Sequence, residues 1–125
     1  MDPNRVLSKR ILLVDDEQSV RQTIKLLLHL DQHRVTEASD GKEALALFVQ
    51  EPFDLVITDF SMPRMQGNEL AFRIKQLAPT QPIVMITAYS AKLGTADNPV
   101  DAVLNKPFGF QDLRQTISKV LATKN

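Results

Sequence analysis

ILLVDDE, residues 11–17, sets a four-residue apolar run without alternation directly before three carboxylates. A strand that is apolar on consecutive positions must be covered on both faces, which is the condition of a parallel sheet flanked by helices. LVI at 55–57 and IVMI at 83–86 repeat the continuous pattern, and a weaker pair, VL, follows at 103–104. HRVTEA at 33–38 alternates instead, as an edge strand does.

Between these runs the apolar period changes to that of a helix. Val20, Ile24, Leu27 and Leu28 share one stripe, so a helix is expected over residues 17–30. Asp40 with Glu43 three positions on resembles a capping box ahead of Ala44, Leu45 and Phe48, and places a helix start near Gly41 that Pro52 ends. A third helix is expected over residues 68–77, with Leu70, Ile74 and Leu77 turned inward. Leu113, Ile117, Val120 and Leu121 mark the last. Residues 90–100 contain Gly94, Asn98 and Pro99, so any helix there is short or irregular. Strand alternating with helix predicts an α/β fold with one parallel sheet.

Composition narrows the class. A chain of 125 residues with 43% hydrophobic and 24% charged content is one globular domain, spanning 1–125, with enough core to need no staples. The absence of cysteine excludes disulfides, thiol catalysis and Cys-ligated metals. Fifteen Lys+Arg against fifteen Asp+Glu argue against direct nucleic-acid or membrane binding as the source of affinity. MDPNRVLSKR lacks an apolar leader segment and no apolar run approaches the roughly 20 residues of a membrane span, so a soluble, cytoplasmic protein is expected.

In open α/β sheets the functional crevice lies beyond the carboxyl ends of the strands. Asp15, Asp16 and Glu17 follow the first strand, Asp59 the third, Thr87 the fourth, and Asn105, Lys106 and Pro107 the fifth. Each has an ordinary reading when taken alone: a helix cap, a strand end, a strand hydroxyl, a solvated lysine. Their joint placement is less ordinary, since two carboxylates about 4 Å apart repel by roughly 4 kcal/mol at an effective dielectric of about 20. Such a cluster calls for a cation, and hard oxygen ligands suit Mg²⁺. No GxxxxGK loop, no GxGxxG turn after the first strand and no Ser/His/Asp set is present, which argues against nucleotide binding. His29 and His33 read as surface or boundary residues away from the crevice. An aspartate that accepts a phosphoryl group beside a metal remains.

ILLVDDE at 11–17, DLVITDFSMPRMQG at 54–67, IVMITA at 83–88 and NKPF at 105–108 together resemble the receiver domain of response regulators, the CheY-like module of two-component signalling, over about residues 9–123. The resemblance implies a five-stranded, doubly wound sheet in the order 2-1-3-4-5. It implies that Asp59 accepts a phosphoryl group from a phosphohistidine on a histidine kinase or phosphotransfer domain. Asp16 and Asp59 would bind Mg²⁺ directly, Asp15 through water, and the backbone carbonyl of Ser61 would be a further ligand. Lys106 would pair with the phosphoryl oxygens, Thr87 would hydrogen-bond one of them, and the Lys106–Pro107 peptide would be cis. The module is a switch that assists its own phosphorylation and dephosphorylation rather than an enzyme. Its output goes to a downstream effector protein or to an effector domain elsewhere in a longer chain.

Two features depart from the family pattern. Val103 stands three residues before Lys106, where an aromatic is common, and only 18 residues separate Thr87 from Lys106, with the shortfall near Gly94 and Pro99. Both bear on the surface that reports phosphorylation, not on the site. Tyr89 and Ser61 occupy positions that in the family influence acyl-phosphate lifetime, and Tyr89 is expected to screen the phosphoryl group from water. The alternatives are a pseudo-receiver that binds partners without being phosphorylated, and a Mg²⁺-dependent phosphatase. The second is disfavoured because Ser61 stands where a general acid would be needed.

Overall fold

The computed structural model describes residues 8–88 and 99–122, and in it every apolar run is a strand. β1 (Arg10–Val14), β2 (Arg34–Ala38), β3 (Leu55–Asp59), β4 (Ile83–Thr87) and β5 (Ala102–Asn105) form one parallel sheet in the order β2-β1-β3-β4-β5. The described helices are α1 (Gln18–Leu30), α2 (Gly41–Gln50), α3 (Gly67–Leu77) and α4 (Phe110–Ala122). The short or irregular helix expected between β4 and β5 falls, with Gly94, outside the described residues.

Successive strand residues enter opposite cores, which explains the unbroken apolar runs. Ile11, Leu13, Leu55, Ile57, Val84 and Ile86 meet Ile24 and Leu28 of α1 and Leu113, Ile117 and Val120 of α4. Leu12, Val14, Val56 and Ile83 meet Ala44 of α2 and Leu70, Ala71 and Ile74 of α3. Each large side chain buried this completely is worth about 1.5–3 kcal/mol, so a polar residue on either face of β1 or β3 would be costly. β2, the edge strand, keeps only Ala38 fully buried.

The helix ends follow local chemistry. Asp40 Oδ1 accepts from the Glu43 amide at 2.8 Å, and Glu43 Oε1 accepts in return from the Ser39 amide at 2.7 Å, one residue earlier than in a standard capping box. α2 ends at Gln50, two residues before Pro52.

Three expectations need correction. Leu77 is 59% exposed: the inward face of α3 consists of Leu70, Ala71 and Ile74, and Leu77 is the last helical residue, beyond the part covered by the sheet. His33, expected at the surface or a boundary, is buried, and its Nδ1 accepts from the Lys9 amide at 3.0 Å. Neither Asp15 nor Asp16 is the cap of α1, whose N-cap is Glu17 with no side-chain hydrogen bond.

Candidate functional site at the carboxyl edge of the sheet

The order β2-β1-β3 makes β1 and β3 neighbours, with Val14 opposite Thr58. One step further along each strand stand Asp15 and Asp59, so the register alone sets two carboxylates side by side at the point where the strand order reverses. Asp16 follows in the turn to α1. Carboxylate oxygens of Asp15, Asp16 and Asp59 all lie within 4.8 Å of one another.

β5 contributes the positive charge. Thr87 pairs with Asn105 in the β4–β5 register, and the Lys106 amide donates to the Thr87 carbonyl at 2.9 Å. The Lys106–Pro107 peptide is cis, as the resemblance implies. Lys106 Nζ lies 3.0 Å from Asp59 Oδ1. Thr87 closes β4 and is buried. Ser61 is exposed in the turn after β3, and Val103 is half-buried in β5 opposite Met85. Tyr89 lies outside the described residues.

Three carboxylates and one ammonium leave an excess of anion, with Asp15 and Asp59 buried and Asp16 exposed at the rim. At these separations each carboxylate pair repels by roughly 3 kcal/mol at an effective dielectric of about 20. Burial, with the neighbouring Asp59 and Asp16 charges adding to it, pushes Asp15 up to about 6, against the hydrogen bond from the Glu17 amide and the charge of Lys106. Burial also raises Asp59, despite the hydrogen bond and charge of Lys106. Burial disfavours the Lys106 ammonium, but its contact with Asp59 outweighs this and holds it above the ordinary lysine value. Because Asp15 takes up its proton more readily in the folded chain, the native state binds more protons than the unfolded one between about pH 4 and about pH 6. Stability without metal therefore falls as pH rises through that window.

Asp15 Oδ2 is buried and has no hydrogen-bond partner among the described residues. A buried carboxylate oxygen without a donor is costly, and a water on a hard cation held by Asp16 and Asp59 would satisfy it. The donor set, three carboxylates, fits Mg²⁺.

A family model described as response regulator receiver domain matches residues 11–118. The chain belongs to that family. The receiver is 39% identical over 116 residues to the response regulator receiver protein CpdR of Brucella abortus, covering 90% of this chain and 97% of CpdR. It is 35% identical over 107 residues to the response regulator MprA of Mycolicibacterium vanbaalenii, covering 83% of this chain but only 46% of MprA. Among solved structures, the response regulator TrrA of Thermotoga maritima in complex with Mg²⁺ and beryllium fluoride superposes with a TM-score of 0.85 at 35% identity, over 90% of this chain and 99% of that one. TrrA has also been solved in complex with the histidine kinase ThkA, and there the TM-score is 0.82.

Two residues that shape the receiver's site had no role assigned from the sequence, although Gly67 closes the DLVITDFSMPRMQG stretch. Gly67 opens α3 and packs on the phosphoacceptor candidate's own backbone: a Cβ added to it would lie 2.2 Å from the Asp59 carbonyl oxygen. Arg21, one turn into α1, donates from Nη1 to the Asp15 carbonyl at 2.7 Å and from Nε to Glu37 Oε1 at 3.0 Å. Lys25 holds the other Glu37 oxygen at 2.9 Å, and together these cations keep Glu37 below the ordinary carboxylate range. Arg21 thus ties the acidic turn to α1 and β2. Arg21→Met is expected to cost about 1.5 kcal/mol in urea unfolding, the scale of a charge-assisted hydrogen bond, and a loss below about 0.5 kcal/mol would remove this role.

Proposed function

We propose that this receiver takes a phosphoryl group onto Asp59 from a phosphohistidine of a partner histidine kinase or phosphotransfer domain, with Mg²⁺, and so switches a protein-interaction surface. The observation that carries the reading is the convergence of Asp15, Asp16 and Asp59 around a buried, unpartnered oxygen, with Lys106 3.0 Å from Asp59. Beryllium fluoride is a tetrahedral mimic of a phosphoryl group, and the similar protein TrrA was solved with it and Mg²⁺.

An Asp59 carboxylate oxygen attacks phosphorus as the bond to the imidazole nitrogen breaks; the ring, protonated on its other nitrogen, keeps the electron pair and leaves as neutral imidazole, and the transferred group is now an acyl phosphate. Asp16 and Asp59 would hold Mg²⁺ directly, Asp15 through water, and the Ser61 carbonyl would complete the protein ligands. Mg²⁺, when bound, neutralises charge on the incoming phosphoryl oxygens. Lys106 neutralises the remainder from the β5 side and Thr87 donates its hydroxyl to one oxygen. That bond draws the end of β4 toward the site and biases the surface between β4 and α4. Val103 has no aromatic ring to rotate, so the bias here is carried by backbone and aliphatic packing. The partners are a cytoplasmic kinase module upstream and an effector protein, or an effector domain in a longer chain, downstream.

Incubation with acetyl phosphate and Mg²⁺, read by intact mass, is expected to add one phosphoryl group to the wild-type chain and none to Asp59→Asn or to chelated samples. A chain that stays unmodified would be a pseudo-receiver. Rapid donor turnover with no accumulating adduct would indicate a phosphatase.

A further inference from the structure

A second concavity, about 370 Å³, lies between the start of α2 and the turn that follows β3. Leu45, Pro63 and Met65 supply apolar surface, and Lys42, Arg64 and Arg73 supply charge. Gly41 lets Met65 settle against α2: a Cβ there would stand 2.6 Å from Met65 Sδ. Asp40 is the one lining carboxylate and Arg73 is paired with Glu69, so Lys42 and Arg64 leave the groove a small local excess of positive charge on a chain whose formal net charge is zero.

Two of these cations are only loosely committed. Arg64 reaches Asp40 Oδ2 at 3.7 Å with its side chain 77% exposed, and such a pair contributes little to stability. Lys42 is exposed, whereas Arg73 is held by Glu69 Oε2 through Nε at 3.1 Å and Nη2 at 2.9 Å. Arg64 also has φ 70°, a left-handed conformation that glycine adopts freely and a branched backbone resists. The turn keeps a cation at this position at the expense of backbone strain, a pattern associated with functional sites.

We propose that this groove docks an acidic peptide segment of a partner protein, with an apolar side chain on Leu45, Pro63 and Met65 and flanking carboxylates against Lys42 and Arg64. The apolar surface between the cations favours such a segment over a small anion, which would leave it uncovered. Arg64 belongs to the turn leading from Asp59 to α3, so the proposed surface adjoins the phosphoacceptor candidate without using any of its side chains.

The test is an amide-shift titration of the full chain with acetyl-Glu-Asp-Leu-Phe-Asp-Glu-amide. Shifts are expected at Gly41, Lys42, Leu45 and Met65, with affinity falling as salt rises from about 50 mM to about 300 mM. Lys42→Ala combined with Arg64→Gly is expected to weaken binding about tenfold. Arg64→Gly alone should raise the thermal midpoint by about 4 °C while weakening binding, a split that a purely structural arginine would not produce. Equal shifts from the charge-reversed peptide, from an acidic peptide lacking Leu-Phe, or from inorganic phosphate would overturn the proposal. So would unchanged binding in the double variant, no shifts at all, or the same shifts arising on concentrating the protein alone, which would indicate a second copy in the groove.

Discussion

Gly67→Ala is expected to be the most damaging single-methyl change in the receiver. The added carbon would stand 2.2 Å from the Asp59 carbonyl oxygen and 3.0 Å from both the Asp59 carbonyl carbon and Phe60 Cα. All three are backbone atoms, held where they are by the Gly67 amide donating to the Phe60 carbonyl at 2.8 Å and by the Phe60 amide donating to Ile86 at 2.9 Å. No flexible side chain is there to yield, so the penalty should reach the upper end of overpacking, about 3 kcal/mol, with a thermal midpoint lower by about 10 °C. Relief can come only by moving the end of β3, and with it Asp59. A displacement of about 1 Å at a reacting group costs on the order of 100-fold in rate. Urea unfolding and the acetyl phosphate reaction should therefore both report the change. A variant within about 0.5 kcal/mol of wild type that reacts normally would show that the contact is not tight in solution.

Lys106→Met is expected to slow phosphoryl uptake by about 100-fold, the usual consequence of removing a preorganised charge from a developing anion. The ammonium sits 3.0 Å from Asp59 Oδ1 and is the charge that opposes the effect of burial on that carboxyl. Without it Asp59 should hold its proton to higher pH, so the pH at which the reaction reaches half its plateau should move upward as well. Lys106→Arg keeps the charge and should recover part of the rate. Intact-mass time courses across pH separate the two effects. A Lys106→Met chain within about threefold of wild type, with an unmoved pH profile, would assign neutralisation to other groups.

The sheet was legible because its strands are covered on both faces. Ile11, Leu12, Leu13 and Val14 feed two cores in turn, and no amphipathic helix tolerates four such neighbours. The site was legible because carboxyl strand ends converge once the strands are found, so Asp15, Asp59, Thr87 and Lys106 could be placed on one edge without knowing any distance. Leu77 was misjudged because helical period gives a direction but not the extent of the sheet opposite it. His33 depends on an amide 24 positions away, as Arg21 depends on the carbonyl of Asp15 and a carboxylate across the α1–β2 boundary. Such polar contacts leave no periodic trace. Gly67 has no positive φ to betray it, and only the nearness of the Asp59 backbone explains why a side chain is excluded.

The proposed chemistry requires the crowded carboxylates to hold a divalent cation beside Asp59. Calorimetric titration of the chain with Mg²⁺ at about pH 7 and about pH 5 tests this directly. One saturable site at the higher pH is expected, weaker at the lower with proton release on binding, because Asp15, pushed up to about 6, must lose its proton to the buffer when the metal binds. No saturable binding at about pH 7, or an affinity unchanged both by acidification and by Asp16→Asn, would contradict it.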